Sequence, residues 1–107
     1  MTLAIKSLAD GQLPATTGDL YTVPASTRAL IKTIKVVNLN TTAETINLYL
    51  KPSGGTARCI IPKNLSLGAG YLLVVDDELT LEAGDKLQGS ATTAAMVDYT
   101  ISGVEES

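Results

Sequence analysis

The sequence contains no histidine, tryptophan or phenylalanine, and it has one cysteine and four tyrosines in 107 residues. Zinc fingers, c-type haem attachment and disulfide frameworks all need several cysteines or histidines at set spacings. Nucleophilic catalysis by a serine–histidine or cysteine–histidine pair needs at least one histidine. The composition therefore excludes these classes of metal protein, disulfide-rich protein and enzyme.

Long hydrophobic runs are also absent. Apolar residues make up 45% of the chain, yet the longest continuous apolar run is Tyr71–Val75, far shorter than the roughly 20 residues of a membrane helix. The opening MTLAIKSLADGQ lacks the basic start, apolar stretch and cleavage site of a secretory signal. We expect one domain, residues 1–107, made in a cytoplasm, with no membrane partner. Its apolar residues must be buried in its own core or against another protein.

The formal net charge is −3, which argues against nucleic acid as the main partner. The charges are unevenly distributed along the chain. Up to residue 63 there are seven basic residues and three acidic ones, and from residue 64 there is one basic residue and eight acidic ones. This asymmetry either supports electrostatic association between copies or disappears because strands from the two halves interleave in the fold.

The chain has no helical period, and threonine, valine, isoleucine and leucine recur in short runs separated by glycine, proline and asparagine. This pattern is typical of all-β proteins. Eight strands at roughly ten-residue spacing predict a two-sheet antiparallel β-sandwich of the jelly-roll kind. The predicted strands are Leu3–Ala9, Asp19–Val23, Ala29–Leu39, Thr45–Lys51, Arg58–Ile61, Tyr71–Glu78, Leu87–Ala91 and Met96–Val104.

Clean alternation in two of these strands predicts the core. The residues expected to be buried are Ile46, Leu48, Leu50, Val97, Tyr99 and Ile101. The strand Ala29–Leu39 does not alternate, because either phase buries a lysine, so we predict a β-bulge near Thr33 and Ile34. The bulge leaves Val37 and Leu39 on the outside, and an apolar outer face usually marks an interaction surface.

The motifs that carry chemistry are weak. Asp76-Asp77-Glu78 is the only carboxylate cluster in the sequence, and it lacks the additional oxygens of a calcium loop and the opposed geometry of a glycosidase pair. We interpret it as a solvated strand end. Cys59, beside two isoleucines, is interpreted as a buried small hydrophobe. No catalytic residue, cofactor or metal ligand is predicted, and we expect the protein not to be an enzyme.

The tyrosines leave a sugar-binding reading open. Sugars stack on aromatic faces, and Tyr49 and Tyr71 are candidates for such a platform. The four tyrosines are nevertheless scattered along the chain, and tryptophan is absent. A carbohydrate- or receptor-binding sandwich module therefore remains an alternative.

Several stretches resemble a group of small virion proteins of tailed bacteriophages. They are DLYTVPASTRALIKTIKVVNLNTTAETINLYLKPSGGT, the corner LEAGDKLQGSA and the closing VDYTISGVEE, together covering roughly residues 19–105. The group includes capsid decoration (cement) proteins, head-fibre bases and tail-associated sandwich proteins. The resemblance implies a jelly-roll-like sandwich that works as a multi-copy structural part, and it carries over no catalytic residue.

We therefore expect a virion structural protein at the capsid surface, made in the host cytoplasm, that binds and stabilises the assembled phage head. A tail- or fibre-associated role is the alternative within this class. The expected partners are the major capsid protein or other virion proteins, and further copies of the chain in a dimer or trimer. Residues 1–18 are expected to form an N-terminal arm or an edge strand. The predicted interface residues are Leu3, Ile5, Val37, Leu39 and Tyr49.

Overall fold

The computed structural model describes residues 2–107, and none of these residues is helical. Met1, the first residue of the predicted arm, lies outside the described residues. The described part of the chain forms ten strands. They are β1 (Leu3–Gln12), β2 (Gly18–Thr22), β3 (Arg28–Asn38), β4 (Glu44–Lys51), β5 (Arg58–Cys59), β6 (Leu65–Leu67), β7 (Leu72–Val75), β8 (Leu79–Leu81), β9 (Lys86–Ala91) and β10 (Val97–Glu106).

The strands form two antiparallel sheets packed face to face, which confirms the predicted β-sandwich. The first sheet has the order β1-β10-β3, with β7 and β8 both pairing with β3. The second has the order β2-β9-β4, with β5 and β6 both pairing with β4. If β5–β6 and β7–β8 are each taken as one interrupted strand, this is the order of an eight-stranded jelly roll.

Ten strands are present where eight were predicted, because β6 and β8 were not predicted. Tyr71–Glu78 was predicted as one strand, but β7 ends at Val75 and β8 begins at Leu79. Asp76, Asp77 and Glu78 lie exposed in the connection between them. Neither β6 nor β8 was predicted, because Leu65–Leu67 and Leu79–Leu81 are each only three residues long and show one step of alternation.

The predicted bulge in β3 is present, one residue before the expected position. Thr33 pairs with Ser102 and Ile31 pairs with Gly103, so Lys32 is the additional residue. The bulge reverses the phase of β3 and allows both Ile31 and Ile34 to be buried. Any regular register would point one of Lys32 and Lys35 inward, and with the bulge both lysines lie outside.

The core lies between the sheets, and five of the six predicted core residues are buried in it. These are Ile46, Leu48, Val97, Tyr99 and Ile101. Leu50 is only half-buried. It is the second-last residue of β4, and a side chain near the end of a sandwich is covered by neighbours on fewer sides.

The turn between β3 and β4 is held by a buried asparagine. The Asn38 side chain is fully buried, and its Nδ2 donates to the carbonyl oxygens of Thr42, Leu67 and Gly68 at 3.0, 3.0 and 3.2 Å. Its Oδ1 accepts from the backbone N–H of Asn40 at 2.8 Å. One side chain thus joins the β3–β4 turn to the segment that follows β6.

A buried carboxylate completes the same turn. Glu44 is 2% exposed; its Oε1 accepts from the Thr93 N–H at 2.8 Å and its Oε2 from Asn40 Nδ2 at 3.0 Å. Burial alone raises the pKa of Glu44, but the hydrogen bonds from Thr93 and Asn40 outweigh it and hold the pKa below its ordinary value of 4.5.

The lowered pKa of Glu44 predicts a specific pH dependence of stability. A carboxyl whose pKa is lower in the folded state adds stability above its unfolded pKa, and this stability is lost as the pH falls through the folded pKa. Glu44→Gln replaces one carboxylate oxygen by an NH2 group, which cannot accept a hydrogen bond, so either Thr93 or Asn40 loses its acceptor. We expect the variant to be less stable by about 1–3 kcal/mol near neutral pH, with the deficit shrinking below pH 4.5. Urea denaturation of both proteins across this range measures it, and a deficit independent of pH contradicts it.

Candidate interaction surface

An apolar row crosses the outer face of the first sheet near one end. Ile5 on β1 pairs with Val104 on β10, and Val104 pairs with Leu30 on β3. Cross-strand partners point to the same face of a sheet, and their neighbours Gly103 and Ile31 are buried. Ile5, Val104 and Leu30, called the apolar row below, therefore lie outside. Ile5 is 90% exposed because β1 is an edge strand.

Shallow concavities lie on both sides of the apolar row. One, of about 470 Å³, is lined by Leu30 and Val104 of the row together with Leu3 and Thr80. The other, of about 440 Å³, is lined by all three residues of the row together with Lys32 and Ser102. Both are open and largely apolar. Their shape suits the side chains of a protein partner better than an enclosed small molecule.

Ion pairs border this surface. Arg28 Nη2 lies 2.7 Å from Glu106 Oε1 on one side, and Lys32 Nζ lies 3.4 Å from Glu78 Oε2 on the other. An apolar centre with a charged rim is the usual composition of a protein–protein interface. The arrangement can bind a partner, and it brings together no nucleophile and base.

The ion pairs also resolve the charge asymmetry of the sequence. Residues 2–107 form four salt bridges, which are Lys6–Glu105, Arg28–Glu106, Lys32–Glu78 and Asp19–Lys86. Every one of them joins a residue before position 64 to a residue after it. The acidic strand β10 lies between β1 and β3, so the two halves interleave, and four basic residues are paired with acidic residues of the other half within one molecule. Electrostatic association between copies is not required.

A partly buried contact holds the end of β10 that carries Val104. The Tyr21 hydroxyl on β2 donates to Glu105 Oε2 at 2.5 Å, and Lys6 Nζ donates to Glu105 Oε1 at 3.1 Å. Burial, and then the bond to Glu105, raise the pKa of Tyr21 well above its ordinary range. The same bond, with that from Lys6, lowers the pKa of Glu105. The contact links the two sheets directly behind the apolar row.

A second apolar patch lies at the opposite end of the first sheet. It consists of Val37, Leu72, Val74 and Leu39 and is called the second patch below. Val37 on β3 pairs with Leu72 on β7. Lys35, two residues before Val37 on β3, pairs with Val74. Leu72 and Leu39 are each 55% exposed. The first sheet therefore has exposed apolar side chains on both of its edges.

The predicted interface residues do not form one surface. Leu3 and Ile5 lie together on β1, and Val37 and Leu39 lie at the far end of the same sheet. Tyr49 is half-buried on β4, in the other sheet. Their role in binding stays a prediction. Sequence reasoning missed Leu30 and Val104, which become neighbours of Ile5 only through strand pairing.

The remaining motifs show no assembled chemistry. Among the described residues there is no group of three or more histidine, cysteine, aspartate or glutamate side chains placed to hold a metal ion. Tyr21 and Tyr99 are buried, whereas Tyr49 and Tyr71 lie on different sheets, so no tyrosine platform forms. The prediction that Cys59 is buried is wrong: it is exposed on the two-residue edge strand β5. No helix in residues 2–107 is long and apolar enough to cross a membrane.

Comparison with known proteins gives structural similarity without a family. No family model matches the sequence, and no curated protein matches it. A chain in the structure of infectious bursal disease virus, Gx strain, matches with a TM-score of 0.55 and 13% identity, over 97% of this chain. The Gt strain of that virus matches with a TM-score of 0.50 and 12% identity. In both cases this protein covers 32% of the viral chain.

A chain from Bacillus endospore appendages, described as a family of disulfide-linked pili, is also similar. Its TM-score is 0.50 at 20% identity, over 99% of this chain and 88% of the appendage chain. At these identities the similarities show a shared fold. The protein is a β-sandwich with the strand order of a jelly roll, and its outer face carries apolar side chains at both edges of one sheet.

Proposed function

We propose that this protein is a non-enzymatic structural component of a virus particle, and specifically a capsid decoration protein that binds and stabilises an assembled phage head. The observation that carries the proposal is the outer face of the first sheet, with its apolar row and second patch. A monomer that exposed both would have an aggregation-prone sheet. In an assembled shell the same residues become interfaces.

The features of the tailed-phage resemblance fall at structural positions of the fold, which supports a shared architecture. The asparagine that ends the long strand is Asn38, whose side chain holds the following turn. The glycine of the closing SGVEE is Gly103, which lies opposite the β3 bulge. Similarity in fold to a chain of a virus structure supports the same class of role.

The mechanism requires no chemistry. Each bound copy contacts neighbouring shell subunits, so its binding free energy opposes their separation. A ligand that binds only the assembled state stabilises that state by mass action. The charged rim of the apolar row would set the orientation of binding, because unpaired charges disfavour wrong registers.

The test compares virions that carry the protein with virions from which its gene has been deleted. We expect the particles without it to release their genome at a lower temperature, and added protein to restore the original temperature. In co-sedimentation, the double variant Leu72→Lys and Val74→Lys should bind about tenfold or more weakly, because it places ammonium groups in an apolar contact. Ser66→Lys, exposed on the second sheet, is the matched control and should bind normally.

Equal heat resistance with and without the protein would remove the decoration role. If the protein is then found only on tails, the tail- or fibre-associated alternative replaces it. Binding that is unaffected by the double variant would exclude the second patch as the contact surface.

A further inference from the structure

The strand β1 has a free edge whose backbone groups can be assigned. The N–H of Thr2 donates to Ser107 O at 2.7 Å and the N–H of Ser107 donates to Thr2 O at 2.9 Å. In an antiparallel pair such doubly bonded positions alternate with positions whose N–H and C=O point the other way. The backbone groups of Leu3, Ile5 and Ser7 therefore point away from β10, toward the open edge.

The regular part of this edge is short and has a defined centre. Leu3 to Ser7 pair with β10 in one unbroken register, and the register shifts between Ser7 and Ala9. Ile5 is the midpoint of this regular segment; its backbone groups point to the open edge, and its side chain is 90% exposed. The segment thus has the symmetry that a two-fold axis through Ile5 requires.

We propose that a second copy of this chain pairs with the free edge of β1, antiparallel, about a two-fold axis at Ile5. Ile5 then lies opposite Ile5 of the other copy, and Leu3 lies opposite Ser7. Each of these pairs can exchange two backbone hydrogen bonds, because all three residues point their N–H and C=O toward the edge. An interface of this kind is self-complementary, as a symmetric dimer requires.

The side chains fit the same register. On the outer face the apolar row continues from Leu30 and Val104 through Ile5 into the row of the second copy, which covers the most exposed hydrophobic residue of the sheet. On the inner side Lys6 lies opposite Ala4, so no like charges face one another. Lys6 is already paired with Glu105 of its own chain. This charge pattern permits two copies to pair without repulsion.

Replacing Ile5 by proline tests the pairing without disturbing β10. The Ile5 N–H faces the open edge, and proline is tolerated on edge strands at such positions. In analytical ultracentrifugation we expect the full-length protein to be a dimer and Ile5→Pro to be a monomer with unchanged circular dichroism. Leu72→Lys, on the other edge of the sheet, should remain a dimer.

Cross-linking tests the register of the pairing. It does not depend on whether the proline variant folds. With Cys59 replaced by serine, Ile5→Cys should form a covalent dimer with a short bis-maleimide. Leu3→Cys should not, because two Leu3 positions lie four residues apart along the paired strands, about 13 Å. Ile5→Lys should give a monomer.

The inference is overturned if the unaltered protein is a monomer at all concentrations. A dimer that survives both Ile5→Pro and Ile5→Lys also overturns it, as does cross-linking through Leu3→Cys with none through Ile5→Cys. The pairing is a property of the isolated chain, so it can fail while binding to particles persists. The proposed function can equally fail while the dimer remains.

Discussion

Gly103→Ala is expected to be the most destabilising single substitution proposed for this protein. A Cβ at this position would lie 2.1 Å from the carbonyl oxygen of Leu30 and 3.2 Å from the Cα of Ile31. Both are backbone atoms of the central strand β3, so no side chain can move aside, and β10 must separate from β3 at the bulge. We expect a loss of about 4 kcal/mol or more, as for other strained core substitutions. For a domain of this size the melting temperature would fall by on the order of 20 °C.

Gly54→Ala is the matched control for this prediction. Gly54 has a φ of 70°, and an added Cβ there meets nothing within 4 Å. Only the conformational cost of a left-handed residue applies, about 1–2 kcal/mol. Thermal unfolding followed by circular dichroism measures both variants. If Gly103→Ala is no less stable than Gly54→Ala, the close approach of β10 and β3 does not constrain the fold.

Asn38→Leu is expected to lose about 3–5 kcal/mol of stability. The change keeps the approximate size of the side chain but removes the donors to Thr42, Leu67 and Gly68, and the acceptor for Asn40. Each buried polar group left without a partner costs about 1–3 kcal/mol, and backbone relaxation toward water recovers part of the sum. The turn after β3 and the segment after β6 would come apart together, because one side chain joins them.

Asn47→Leu provides the control for the loss of an asparagine side chain. Asn47 also joins two segments, because its Oδ1 accepts from the Asn64 N–H at 2.9 Å. This bond lies at the surface, where water can replace the lost acceptor. We expect a loss of about 1 kcal/mol. Chemical denaturation with both variants decides the point, and equal losses would mean that the burial of Asn38 adds nothing.

The sequence predicts the fold class of this protein because its strands alternate. The period-two pattern in β4 and β10 identifies their inner faces, and the inability of β3 to alternate reveals its bulge. These are local properties, set by neighbours along the chain. The predictions that failed concern residues at the ends and edges of sheets: Leu50 is half-buried, Cys59 is exposed, and the strand predicted over Tyr71–Glu78 ends at Val75, before the acidic run.

The interaction surface was only partly predictable. The sequence alone indicated that one sheet has an apolar outer face, since no register hides all of its apolar residues. It could not show that Ile5 continues a row through Val104 and Leu30, because these residues are far apart in sequence and strand pairing alone brings them together.

What the sequence by itself determined is the strand content, most of the core and the absence of histidine-dependent chemistry. The tertiary structure alone decided which strands are edges and which apolar side chains remain uncovered. Ile5 and Ile101 are the same residue type in strands of the same sheet, yet one is 90% exposed and the other is fully buried. The difference arises because burial depends on what packs against a face, and that depends on strand order, which no local pattern encodes.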